Sequence, residues 1–453
     1  MGNKHTAEDL RQFQALPLGV KVAMTKSRIR GWINEFGTSG VYVSFSGGKD
    51  STVLKHIVDS MYDNIPAVFV NTGLEYPEIQ QFVREIKAGK YDCFSSNVEI
   101  IRPEMRFDEV VRKHGYPAIG KKQSNTISHA RKNIEQGKYT LRVRHMGITP
   151  DEAEQMGLEL PSEEMLARYE KTADGSMYNI PQYRNMLDAD FRVSDLCCNE
   201  MKKKPMAKYH KETGRKPIIG TMASESMQRR SAWLKNGCNA FNANKPSSQP
   251  LSFWTEQDIF QYIKKYNVPI CSVYGDIVPV PEDVEQIEGQ MSIYETLEEY
   301  EGCKLQTTGC NRTGCIFCMF GCHLEKEPNR FQRLKETHPR QYEFCIGGGE
   351  YNEEGEWQPS KEGLGLGKVL DFLGVNYGGE SMWKRATING YDVSAKVYEE
   401  GSMYGINGGK ISKLYIAKEK ECYLNYDRGW DIELDADDTE LIEVYNRVLE
   451  MWN

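Results

Sequence analysis

Hydrophobic and polar positions alternate between two periods along the first third of the chain. "GVYVSF" (40–45), "PAVFVN" (66–71) and "NVEIIRP" (97–103) are short apolar, β-branched runs. The segments after the first two, "STVLKHIVDSMYD" and "YPEIQQFVREIKAG", carry apolar residues at helical spacing. Strands alternating with helices of this length predict a parallel sheet with helices on both faces. A helical segment (1–37) precedes this pattern, which occupies 38–103. Residues 104–195 turn polar and helical and read as an insertion. The α/β pattern resumes over 196–298, with "KPIIGTMA" as a strand. In "FWTEQDIFQYIKKYNV", Thr255 is the expected N-cap of a helix and Asp258 its capping-box partner. A cysteine-rich segment spans 299–358, and 359–453 reads as a small α+β domain in which the Gly-Gly, Asn-Gly and aromatic content of "GINGGKISKLYIAKEKECYLNYDRGWDIELD" predicts hairpins.

Composition narrows the class. A chain of 453 residues with 27% charged residues can bury a sizeable core, and it contains no apolar run near the length of a membrane span. "MGNKHT" matches a myristoylation pattern, but no polybasic stretch follows it, and the polar N-terminus lacks a signal-peptide core. A cytoplasmic location is the expectation. The net charge of −8 argues against binding nucleic acid by bulk charge. Locally basic stretches lie at 202–216 and around 120–145, against an acidic stretch at Glu282–Glu301. They are either solvated helix faces or, if they converge on one site, attractors of a polyanion such as a nucleic-acid acceptor.

Candidate chemistry begins at "SFSGGKDSTVL" (44–54). Glycines between a strand and a helix let a phosphate approach the helix's first amides, which carry partial positive charge. Ser46 and Ser51 add hydroxyls to Gly47 and Gly48, and the Walker spacing is absent. The stretch resembles the loop of the PP-loop ATP pyrophosphatase superfamily. Three further motifs resemble its phosphoadenosine phosphosulfate (PAPS) reductase family: "VNTGLEYPE", "IGTMASESMQRR" and "PLSFWTEQDIFQYIKKYNVPICSVY". The resemblance implies an adenine nucleotide alpha hydrolase-like α/β fold. It also implies nucleotide contacts at Ser46, Gly47, Gly48, Asp50, Ser51, Asn71, Thr72, Gly73, Gly220, Glu225 and Ser226, with catalytic roles for Lys49, Asp50 and Arg230.

Twelve cysteines are unevenly spread, which in a chain without a signal peptide suggests metal or redox chemistry. "CCNEMKKKP" and "GCIFC" resemble the elements that hold a 4Fe-4S cluster in iron–sulfur members of the family, which implies Cys197, Cys198, Cys315 and Cys318 as ligands and Lys202 as a nearby cation. Two alternatives stay open: a set of Cys303, Cys310, Cys315 and Cys318, similar to that of DNA phosphorothioation sulfurtransferases, or four thiolates on zinc.

Three functions follow. An intact loop suits ATP with Mg²⁺, cleaved to AMP and pyrophosphate to activate an acceptor for sulfur transfer; the sulfur would come from a thiol or a cysteine desulfurase and be carried at the cluster, Cys310 or Cys322. The cysteine pairs suit reduction of adenylyl sulfate or PAPS to sulfite. That family's reductases use a mobile Glu-Cys-Gly-x-His cysteine, for which Cys422 in "KECYLNY" and Cys345 before "IGGGEY" are the nearest substitutes. A non-catalytic nucleotide-binding regulator is the third.

Overall fold

A computed structural model describes residues 4–280, 303–378, 383–397, 405–419, 421–427, 430–435 and 437–453. The acidic stretch Glu282–Glu301 and the start of the myristoylation pattern lie outside them. The chain divides into two compact units, residues 1–117 with 194–318 and residues 118–193 with 319–453.

The first unit is built on a six-stranded sheet. Its strands are β1 (Val41–Ser44), β2 (Ala67–Val70), β3 (Val98–Ile101), β4 (Lys216–Ile219), β5 (Asn239–Ala240) and β6 (Ser247–Ser248), in the order β3-β2-β1-β4-β6-β5. All neighbours are parallel except the β5–β6 pair. The chain moves outward from β1 through β2 to β3, then returns to the other side of β1 as β4. That reversal makes the carboxyl ends of β1 and β4 a topological switch point, where open α/β sheets bind ligands. Val41, Tyr42 and Val43 are each at most 1% exposed, as expected of a central strand covered on both faces. Val41 and Val43 join the main core with Val53, Leu54 and Ile57, while Tyr42 packs with Val68 and Tyr209 in a separate cluster. The helix Leu18–Phe36 is tied to the helix Glu256–Tyr266 by Lys21, whose Nζ lies 2.7 Å from both Asp258 carboxylate oxygens. Thr255 caps the latter helix, with Asp258 completing the box. The helix Phe107–His114 belongs to this unit, so the second unit begins after the start of the polar helical stretch.

The second unit contains the insertion helices Lys121–Glu135, Leu141–Arg144, Pro150–Gln155 and Glu163–Ala173. Its C-terminal part is an antiparallel five-stranded sheet, Trp383–Ile388, Tyr391–Val397, Ile411–Lys418, Glu421–Asp427 and Trp430–Ile432, paired in sequence order. Asn389 and Gly390, both at positive φ, make the first two-residue turn. The helix Thr439–Trp452 contributes Leu441, Val444 and Val448 to the core of this sheet, with Val393, Leu414, Ile416 and Leu424. Among the described residues no helix is long and apolar enough to cross a membrane.

Candidate functional site

Residues 45–48 connect β1 to the helix Lys49–Asp59, whose N-cap is Gly48 and whose first turn carries Asp50 and Ser51. Gly47 has φ +71°, and a Cβ there would stand 2.8 Å from Ile79 Cγ2 and 3.1 Å from Val83 Cγ2, so the loop needs glycine for both conformation and space. The Ser46 N–H donates to Ser51 Oγ (3.1 Å), Gly48 N–H to Ser46 Oγ (3.3 Å), and Ser51 Oγ–H to the Gly48 carbonyl (2.9 Å). Gly220, just beyond β4, lies against the first turn of the same helix, because a Cβ there would be 3.0 Å from the Asp50 carbonyl oxygen. The structure therefore gathers the predicted loop and the segment around Gly220 at the β1/β4 switch point.

Lys49 faces elsewhere. Its ammonium is buried, 2.9 Å from the Asn311 carbonyl and 3.0 Å from Glu256, and it lies over the Phe260 and Tyr274 rings. Asp50 stays at the mouth, its side chain 26% exposed, yet its Oδ1 is buried without a hydrogen-bond partner. Burial raises its pKa above the usual carboxylate range; Lys49 and Arg312 oppose the rise, and Glu225 and Glu256 add to it. The ion-pair partner of Asp50 Oδ1, the Lys49 ammonium, is 4.0 Å away, and a buried carboxylate oxygen without a hydrogen bond is costly unless something binds it. That oxygen fits a Mg²⁺ ion or a hydrogen-bond donor on a bound ligand.

Glu225 accepts from the Met222 N–H (2.8 Å) and pairs with Arg229 and, at 3.4 Å, with Arg312. Ser226 is spent as a helix cap on the Arg229 N–H. Arg230 instead lines a cleft of about 650 Å³ with Ser224, Met227 and Arg11 of the N-terminal helix Ala7–Gln14. After β2, Asn71 Oδ1 accepts from the Gly73 N–H (3.1 Å), and Thr72 is held by Glu75 (2.6 Å), which shapes the turn.

Sequence reasoning missed the cover of this loop. The Tyr274 hydroxyl accepts from the Lys49 N–H at 3.0 Å and lies 2.7 Å from Thr313 Oγ1. Backbone bonds from Gly309 N–H to the Tyr274 carbonyl and from Cys310 N–H to the Val273 carbonyl, both 2.9 Å, hold the segment in place. The glycine at each end of "GCNRTG" (309–314) was the available signal for a tightly folded crossing.

The same segment continues into the thiols. Ile316 N–H donates to the Leu74 carbonyl (2.8 Å), next to the Thr72–Glu75 turn. Cys197 and Cys198 precede a π-helical turn, Asn199–Lys203, that carries Lys202. Burial pushes the Cys197 thiol up, and Cys315, Cys198 and Cys318 add to the shift. Burial likewise raises Cys315, against the pull of Lys202. Lys202 hydrogen-bonds Cys315; burial opposes its charge, but Cys315, Glu75 and Cys198 outweigh that and raise its pKa. Cys197, Cys198, Cys315, Cys318 and Lys202 therefore lie near enough to act on one another's charge. Cys310 instead neighbours Cys271, whose thiol is pushed up to about 11 mainly by burial. Among the described residues no three Cys, His, Asp or Glu side chains stand in an arrangement that would hold a single metal ion. In its chemistry the donor set, four thiols with an ammonium beside them, fits an anionic thiolate-ligated cluster.

Two other candidates change. Cys345 lies in the helix Pro339–Ile346 at 0% exposure, and burial raises its thiol well above the ordinary range, so it is not a mobile nucleophile. Cys422 sits in the strand Glu421–Asp427, half-buried, as its alternating neighbours predict. Of the basic stretch 202–216, Lys204 pairs with Glu200, Lys208 with Glu104 and Arg215 with Glu99, which leaves less free charge than the sequence suggests.

A family model for the phosphoadenosine phosphosulfate reductase domain matches residues 40–144 and 162–320, more than half of the chain. The chain belongs to this family. The PAPS reductase domain thus covers the glycine loop, the Gly220 segment and all four clustered cysteines. Residues 382–453 match a domain family of unknown function. An adenosine 5'-phosphosulfate reductase from Oceanobacillus iheyensis is 31% identical over 107 residues, 23% of this chain and 42% of that protein. An uncharacterized protein from Methanocaldococcus jannaschii is 32% identical over 87 residues, 19% of this chain and 20% of that protein. The chain thus spans less than half the length of these curated relatives. A crystal structure of phosphoadenylyl-sulfate reductase from Candida auris, a phosphate complex, aligns with 65% of this PAPS reductase-family chain and 98% of its own, at 13% identity and a TM-score of 0.31.

Proposed function

We propose that this chain is an adenine-nucleotide enzyme that cleaves ATP to AMP and pyrophosphate and uses the activated acceptor for sulfur transfer. The observation that carries the reading is one continuous segment, Gly309–Cys318. It reaches the glycine loop directly through the Asn311 carbonyl and, by way of the Tyr274 hydroxyl, through Thr313, and it supplies Cys315 and Cys318 to the thiol patch.

The Gly47–Ser51 turn receives the β- and γ-phosphates, with Asp50 Oδ1 as the group awaiting Mg²⁺. When bound, the ion neutralises phosphate charge. The nucleotide lies across the ends of β1 and β4, bordered by the Asn71–Gly73 turn. An acceptor oxygen attacks the α-phosphorus, the bond to the β-phosphate oxygen breaks, and pyrophosphate leaves with the electron pair. Stabilising that departing charge is the main task of the loop. A sulfur nucleophile then attacks the acceptor and displaces AMP. Cys197, Cys198, Cys315 and Cys318 would hold a 4Fe-4S cluster, which supplies sulfur or electron chemistry beside the nucleotide.

A second reading, reduction of adenylyl sulfate or PAPS, is favoured by the similarity to the Oceanobacillus iheyensis reductase. There a thiolate attacks the sulfate sulfur, the adenosine phosphate leaves, and a second, external thiol releases sulfite. Buried Cys345 does not supply the first thiolate.

The test uses protein purified without oxygen. It is given α-labelled ATP and Mg²⁺, with and without DNA, RNA or sulfate, and AMP and pyrophosphate are followed. Acceptor-stimulated release that Asp50→Ala abolishes supports the first reading. No release, with sulfite formed from labelled adenylyl sulfate or PAPS, replaces it with the second, and nucleotide binding without either turnover makes the chain a regulator.

A further inference from the structure

The mouth of the glycine loop is acidic for a site that receives a polyanion. Asp50, Glu225 and Glu256 all border it, and each of the last two raises the pKa of Asp50. The loop's own cation is committed elsewhere, since the Lys49 ammonium is 3% exposed and held by Glu256 and the Asn311 carbonyl. Arg229 is committed to Glu225. Arg312 is different. Its side chain is 66% exposed and its guanidinium stands 3.4 Å from Glu225 Oε1, while Arg229 and the Met222 N–H hold the other oxygen of that carboxylate, Oε2. A single long contact from a solvent-exposed guanidinium holds that side chain weakly, so it can turn to a stronger, paired acceptor. Its charge already reaches Asp50, whose pKa it lowers.

We infer that Arg312 is a phosphate-binding residue of the nucleotide site, contributed by the cysteine-rich segment and parked on Glu225 until a phosphoanhydride or phosphosulfate chain enters. The backbone on either side is held, by Asn311 through Lys49 and by Thr313 through Tyr274, so only the side chain must turn. A guanidinium offers paired donors to adjacent phosphate or sulfate oxygens, which an ammonium does not. Three residues further on is Cys315, so the side chain that recognises the phosphate chain and the thiol patch are carried on one short segment. This assignment rests on the nucleotide reading above, and its test separates the two.

Binding of AMP, ATP, adenylyl sulfate and pyrophosphate to the full chain is measured by calorimetry for the wild type, Arg312→Ala, Arg312→Lys and Arg106→Ala, after melting curves show that each variant is folded. Arg106 is an exposed arginine of the same unit that serves as a control for lost charge. Loss of a charge-assisted, paired contact weakens ATP and adenylyl sulfate about 10- to 100-fold in Arg312→Ala. AMP changes less than about threefold, Arg312→Lys falls between, and Arg106→Ala matches the wild type. Wild-type affinity of Arg312→Ala for ATP and adenylyl sulfate overturns the assignment and leaves the nucleotide site standing, as does equal weakening of AMP. If the wild type binds none of the four ligands, the nucleotide reading falls and the assignment with it.

Discussion

Replacing Gly47 by alanine perturbs the turn from which the whole site is built. The residue sits at φ +71°, where a side chain costs about 1–2 kcal/mol for conformation alone. The added Cβ would also stand 2.8 Å from Ile79 Cγ2 and 3.1 Å from Val83 Cγ2. Both neighbours are at most 1% exposed and lie on the helix Pro77–Lys87, so neither can withdraw into solvent. Overpacking of this kind costs about 1–3 kcal/mol. The expected destabilisation is roughly 2–5 kcal/mol, a large part of a typical domain's stability. Urea unfolding followed by tryptophan fluorescence reads it, because Trp32, Trp233 and Trp254 are all buried in the first unit. The midpoint of that unit's transition should fall with little change in slope. Gly48→Ala is the companion: its φ of −75° is ordinary, and the atoms nearest its Cβ would be side-chain hydroxyl oxygens, those of Thr313 and Tyr274 at 3.2 Å and Ser46 Oγ at 3.3 Å. It should keep the wild-type midpoint and lose nucleotide affinity. An unchanged midpoint for Gly47→Ala would refute the description of the loop as pressed between β1 and that helix.

Three further outcomes are expected. Because the folded protein raises the Asp50 pKa, the stability tied to its proton is fully present below the unfolded carboxylate range and lost as pH rises through the folded value. At pH 7 the ionised oxygen, without a hydrogen bond and with Lys49 only at 4.0 Å, is therefore a cost, so Asp50→Asn should stabilise the first unit by about 1–2 kcal/mol while abolishing turnover; melting curves from pH 4 to 7 should show the gain shrinking toward pH 4. Lys21→Met leaves Asp258 charged and buried and should cost about 3–5 kcal/mol in urea unfolding, with Asp258→Asn added in the same chain recovering part of it. Elemental analysis of oxygen-free protein should find metal lost in Cys197→Ala, Cys198→Ala, Cys315→Ala and Cys318→Ala but kept in Cys303→Ala and Cys310→Ala; metal kept in Cys197→Ala and Cys198→Ala but lost in Cys303→Ala and Cys310→Ala would select the alternative ligand set.

What the sequence by itself determined is local. The apolar runs, the strand–glycine–helix order of the loop and the Thr255–Asp258 box all depend on residues a few positions apart, where dihedral preference and hydrophobic period suffice. The two cysteine pairs were visible for the same reason. Tertiary structure decided how these pieces meet. The partners of Lys49 lie 207 and 262 positions away, at Glu256 and Asn311, so nothing near "SGGKDS" indicates that its lysine turns inward. The glycines after Cys345 suggested mobility, whereas its place on a packed helix face removes it from solvent. Choosing between Cys197 with Cys198 and Cys303 with Cys310 as neighbours of Cys315 required knowing which segments reach the ends of β1 and β4. That depends on sheet order and on long-range packing free energy, which the period and spacing of residues along the chain do not encode.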